Sequence, residues 1–131
     1  MYTEKNTNLY YSQDHEWIDF QGQVAYVGVC GFKLTGFKEI HELSFTASPG
    51  FVKKDELIAI IIYKDYKIEV RMPVDGKLIQ VNEGLNMSTL LQSAENGAWL
   101  AKIIPAQPYE RKGLLLPKQY QPNGKSKFAK S

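Results

Sequence analysis

Residues 57–71, "LIAIIIYKDYKIEVR", constrain the fold of this chain more than any other stretch. Leu57 to Ile62 is apolar at every position, which predicts a strand covered on both faces. Lys67 to Met72 alternates strictly, placing Ile68, Val70 and Met72 on one inward face. Between them lies a polar tip, Lys64-Asp65-Tyr66, too short for anything but a hairpin. A sharp turn, "MPVDG", follows at residues 72–76.

The flanking sequence repeats this grammar of short strands and turn signals. "HEWIDF" and "QVAYVGV" flank Gln21-Gly22, where glycine supplies the positive φ of a tight hairpin. "HELSFTA" puts Leu43, Phe45 and Ala47 on one face and ends at Pro49-Gly50. "KLIQVN" alternates again, and "AWLAKII" reads as the last strand. In residues 30–40, Phe32, Leu34, Phe37 and Ile40 have a spacing that suits a short helix, weakened by two glycines. "MSTLLQS" reads as a helical turn capped by Ser88 or a residue beside it, and "YERKGLLL" as a terminal helix or an extended segment. The pattern predicts an all-β fold, mostly β with short helices.

Composition narrows the class further. At 131 residues the chain is one domain or a domain with a tail, long enough to bury about two thirds of its unfolded surface. The longest apolar run, Leu57 to Tyr63, falls far short of the roughly 20 residues of a membrane span, so no membrane association is expected. The N-terminal "MYTEKNTNLYYSQ" lacks the pattern of a signal peptide, and the single Cys30 cannot form an internal disulfide. Both point to a cytoplasmic protein, and the sequon Asn86-Met87-Ser88 then carries no weight. Residues 1–108 hold 10 Lys/Arg against 13 Asp/Glu, whereas residues 109–131 hold six against one. The body is mildly acidic and the tail basic. Residues 1–9 read as an N-terminal extension, 10–116 as the domain, and 117–131 as a basic, weakly ordered tail.

Candidate chemistry is sparse. His15, within "DHEW", reads as a packed and hydrogen-bonded residue, and His41 as a surface position beside Glu39 and Glu42. Two histidines without ligand-like spacing do not make a metal site. Cys30 has no base or orienting partner in the sequence and reads as core. No phosphate-binding glycine loop and no Ser/His/Asp arrangement is present, so catalysis by this chain is not expected. Lys118, Lys125, Lys127 and Lys130, interleaved with Tyr120 and Phe128, read as a solvated tail, with a polyanion partner as the weaker alternative. Nucleic acid is not an expected partner, and a monomer is expected.

Four segments together resemble one family. "YYSQDHEWI" (10–18), "QVAYVGV" (23–29), "PVDGKLIQVNEGL" (73–85) and "GAWLAKIIP" (97–105) are similar, in order and spacing, to the H protein of the glycine cleavage system. "DHEW" is the most specific of these elements, and the resemblance spans about residues 10–120. It implies a lipoyl-type barrel-sandwich hybrid of two small β-sheets, with a cofactor hairpin at one end. In the family the hairpin carries a lysine whose ε-amine is amide-linked to lipoate, and the arm passes an aminomethyl group between partner enzymes.

That lysine stands eight residues before the proline of the Pro-x-x-Gly turn, a position filled here by Asp65. The glutamate usual three residues earlier falls on Ile62, and the family's "DPYG" is replaced within "SAENGAW" (93–99). The resemblance therefore implies a kept hairpin without its acceptor: a non-catalytic protein with no expected cofactor, acting by docking to protein partners. Glycine cleavage enzymes would be such partners. The alternative acceptor is Lys64, with Lys67 a weaker one; lipoate and a lipoate ligase then enter as cofactor and partner.

Overall fold

The computed structural model describes residues 9–120. The chain runs through β1 (Leu9–Tyr11), β2 (Glu16–Gln21), β3 (Val24–Val29), a single 3-10 turn (Gly31–Leu34), β4 (Glu42–Phe45), β5 (Gly50–Val52), β6 (Leu57–Tyr63), β7 (Tyr66–Arg71), β8 (Gly76–Val81), α1 (Met87–Gln92) and β9 (Ala101–Pro105). Six strands form one antiparallel sheet in the order β1-β2-β3-β9-β8-β5, and three form a second, β4-β6-β7. The mostly-β expectation and the two-sheet arrangement are both met.

The core lies where the inward faces of the two sheets meet. Ile18, Phe20, Ala25, Val27, Leu78 and Ile103 from the larger sheet pack with Ile58, Ala59, Ile61 and Val70 from the smaller one. Period-two patterning explains most of this: on β7, Val70 is fully buried while Glu69 is exposed. The expectation of a strand covered on both faces at 57–62 needs correction. Ile58, Ala59 and Ile61 are buried, but Leu57, Ile60 and Ile62 are only half-buried. The smaller sheet has only three strands and its second face meets solvent, so apolar residues there remain partly exposed. A bulge between Leu57 and Ala59 shifts the register at the start of β6, letting Ile58 and Ala59 both enter the core.

Two glycines mark places where backbone and side chain approach too closely for a Cβ. At Gly28 a Cβ would lie 2.4 Å from the Trp17 indole, and at Gly76, in the "PVDG" turn, 2.8 Å from the Ile104 carbonyl oxygen. The helix expected within residues 30–40 shrinks to one 3-10 turn: the backbone leaves helical geometry at Thr35, ψ 127°, and Gly36 at φ +91° serves the turn that follows, closed by the Phe37 N–H on the Leu34 carbonyl oxygen. The cap of α1 is Asn86, whose Oδ1 accepts the Ser88 and Thr89 N–H groups, rather than Ser88. "YERKGLLL" is not helical: its Leu115 pairs with Tyr11 as an isolated antiparallel bridge. Tyr120 is buried against the body, stacked on Tyr11 at 4.4 Å, so residues 117–120 run onto the folded domain. Lys125, Lys127, Phe128 and Lys130 lie outside the described residues.

Candidate functional site

At the end of the smaller sheet, Tyr63 pairs with Tyr66, leaving Lys64 and Asp65 as a two-residue turn. Lys64 has φ +55°, a left-handed conformation that costs a non-glycine residue roughly 1–2 kcal/mol. The turn therefore needs support, and His41 provides it. The Lys64 N–H donates to His41 Nδ1 at 3.2 Å, and His41 Nε2 stands 3.0 Å from Glu39 Oε2. A backbone N–H can only donate, so Nδ1 is the acceptor and the imidazole proton sits on Nε2, facing the Glu39 carboxylate. The His41 ring also meets Tyr63 edge-on at 5.2 Å, and Tyr63 packs on Phe37. The sequence reading of His41 as an ordinary surface position missed this role, since the hydrogen bond spans 23 residues.

Both turn side chains are exposed, and Lys64 Nζ lies 5.2 Å from the Tyr63 ring centroid. Lys67 is exposed too, opposite Ile62 on the return strand and away from the turn. The register between Tyr66 and Arg71 contains no bulge on β7, so nothing on the return strand absorbs a one-residue offset between the tip and Pro73. As an attachment point for an amide-linked group, Asp65 does not fit, because a carboxylate has no amine. Lys64 has the amine and the exposure.

A second constellation, invisible as such in the sequence, lies in "DHEW". Glu16 is 1% exposed, on β2. Its carboxylate accepts from Ser12 Oγ at 2.7 Å, from the Arg71 N–H at 3.0 Å and from Lys33 Nζ at 3.0 Å. Lys33 in turn reaches Asp14 at 3.2 Å and the Glu69 carbonyl oxygen at 2.6 Å. One buried carboxylate thus joins β2 of the larger sheet to β7 of the smaller one. Burial pushes the Glu16 carboxyl up to about 7, against the opposing pull of Lys33 and of the donors from Arg71 and Ser12.

Next to it, Trp17 donates from Nε1 to the Ala94 carbonyl oxygen at 2.8 Å, tying the loop at 93–99 to β2. His15, at φ +67°, places Nδ1 2.7 Å from the Tyr120 hydroxyl and its ring 4.6 Å from Phe32, so it packs and hydrogen-bonds as expected. Cys30 is fully buried beside Tyr120, and burial pushes its thiol up to about 12, far from a reactive thiolate at neutral pH. Among the described residues no group of three or more His, Cys, Asp and Glu could hold a metal ion. No helix in the described residues is long and apolar enough to cross a membrane.

Comparison with known proteins bears on this arrangement directly. The family described as "Glycine cleavage H-protein" matches residues 9–127, nearly the whole chain. This chain belongs to the glycine cleavage H-protein family. Curated relatives agree: the glycine cleavage system H protein of Bartonella quintana is 29% identical over 83% of this chain and 91% of its own length. That of Alkaliphilus oremlandii is also 29% identical, over 86% and 89%. The crystal structure of a glycine cleavage system H protein from Mycobacterium marinum superposes with a TM-score of 0.73 at 18% identity, covering 92% of this chain and 97% of that one. The lipoyl-type barrel-sandwich fold expected from the resemblance is therefore the observed one. Proteins of this family are carriers rather than catalysts.

Proposed function

We propose that this chain is a glycine cleavage H-protein-family module that bears no lipoyl group and works by docking to protein partners, among them enzymes of glycine cleavage. The observation that carries the reading is Asp65 in the turn, at the position of the family's lysine, with an unbulged β7 fixing its distance from Pro73. A carboxylate cannot form the amide, and Ile62 stands where the usual glutamate would sit. The scaffold that holds the hairpin is otherwise intact, including the Glu16 link between the sheets and the close approach at Gly76.

A second reading has one observation in its favour. Lys64 is an exposed amine in the first turn position, with its backbone held by His41. Lipoate on Lys64 would make the chain an aminomethyl carrier with a displaced attachment point, and a lipoate ligase would be a partner. Lys67, on the return strand, is the weaker acceptor because its amine is not at the turn.

Intact mass after incubation with lipoate, ATP and a lipoate ligase separates the two, run beside Lys64→Ala, Lys67→Ala and a standard H protein. An unmodified mass, with the standard protein modified in the same tube, supports the docking reading. An adduct lost in Lys64→Ala overturns it in favour of the carrier.

A further inference from the structure

On the outer face of the larger sheet, away from its core face, the loop at 93–99 stands over β1, β2 and β3 and encloses an open cleft of about 370 Å³. Leu9, Trp17, Tyr26 and Trp99 line it together with the acidic residues Asp19 and Glu95. Tyr26 and Trp99 meet edge-to-face at 5.3 Å. Glu95 Oε2 is fixed by the Gly31 N–H at 2.7 Å, and Asp19 Oδ1 by Gln21 Nε2 at 2.9 Å. Both carboxylates are thus held in place beside aromatic rings. Lys102 Nζ lies 5.7 Å from the Tyr26 ring centroid.

We infer that this cleft is a docking site for an arginine side chain presented by a partner protein. The argument is one of complementarity. A planar guanidinium stacks on aromatic rings and offers a fork of N–H donors that matches a carboxylate, whereas an ammonium offers a point charge and an apolar side chain brings no charge to the two carboxylates. The volume is ample for one long side chain. Burial already raises the Asp19 carboxyl above its ordinary range, a cost that an arriving cation offsets. The inference goes beyond the proposed function and holds for either state of Lys64, since the cleft and the hairpin belong to different sheets.

The test uses the full chain and three peptides: acetyl-Gly-Arg-Gly-amide and its citrulline and lysine counterparts. The protein has two tryptophans, Trp17 and Trp99, and both line the cleft, so intrinsic fluorescence reads the site itself. The expected result is a saturable change with the arginine peptide that weakens with added salt. Citrulline, which keeps the shape without the charge, abolishes it, and lysine binds more weakly. Asp19→Asn, checked by an unchanged melting temperature, weakens binding about tenfold. Trp99→Leu, read through Trp17, gives a second loss.

Equal binding of arginine and citrulline peptides, undiminished binding to Asp19→Asn, or no saturable response at millimolar peptide overturns the inference. Binding that emerges only after Lys125, Lys127 and Lys130 are all replaced by Gln assigns the cleft to the chain's own basic segment, and overturns the partner.

Discussion

Lys33 and Lys64 show how differently one chain can use the same residue. Lys33 is nearly enclosed, its side chain 11% exposed, and its ammonium is taken up by Asp14, Glu16 and the Glu69 carbonyl oxygen. Lys64 is the reverse: its side chain is exposed, and its backbone is what the fold grips, through His41. The ammonium of Lys33 serves to neutralise a buried carboxylate, so its chemistry is structural. Lys64 has an ordinary surface amine on a backbone conformation that costs free energy. In this chain, then, being a lysine does not by itself fix what the residue does. What matters is which part of the residue the scaffold constrains.

The scaffold side of that comparison should break most severely. Trp17→Ala removes a large buried ring and the hydrogen bond to Ala94, and should cost about 3–5 kcal/mol in denaturant unfolding. Lys33→Met leaves Glu16 buried without its cation, and should cost about 3 kcal/mol at pH 8. An effect below about 0.5 kcal/mol there would place Lys33 with the ordinary surface lysines.

Glu16 also predicts a pH dependence, and its sign follows from the raised folded value. Between about 4.5, the unfolded value, and about 7, the folded chain keeps a proton that the unfolded chain has lost. Stability from this group is therefore full below about 4.5 and falls as the pH rises through 7, by on the order of 3 kcal/mol. Melting temperatures across this interval should decline in the parent protein and much less in Glu16→Gln.

The tip should answer weakly. His41→Ala loses the acceptor for the Lys64 N–H and should cost about 1 kcal/mol. Lys64→Gly relieves the left-handed strain and should stabilise by roughly the same amount, less the greater entropy of an unfolded glycine. A large loss in Lys64→Gly would mean that the lysine side chain is structural after all, and the contrast with Lys33 would collapse.

How much of this was legible in the sequence follows from the range of each interaction. The β6–β7 hairpin, the alternation on β7 and the Gly22 turn are local patterns, and they were readable. The Glu16 cluster joins residues 12, 16, 33 and 71, and no local period connects them; "DHEW" could be read as a marker but not as a junction. β2 carries two carboxylates, Glu16 and Asp19, and nothing local in the sequence separates the buried one from the half-buried one. Tyr120 sits among polar, lysine-bearing neighbours, a local composition that reads as a solvated tail. Its burial against Tyr11 depends on a contact over more than a hundred residues. The cleft at Trp17 and Trp99 was likewise unreadable, since the loop at 93–99 showed only a departure from the family pattern.

The Glu16–Lys33 pair has one more consequence, for how the molecule behaves among its own copies. β7 is an outer strand of its sheet, and such a strand offers unpaired N–H and C=O groups to any other chain that can align with it. Here the outward-facing groups at Glu69 and Arg71 are already engaged, the carbonyl by the Lys33 ammonium and the N–H by the Glu16 carboxylate. The contact that ties the two sheets together therefore also closes that stretch of edge to strand addition. The hairpin can thus stand exposed without its flank recruiting a second copy of the chain.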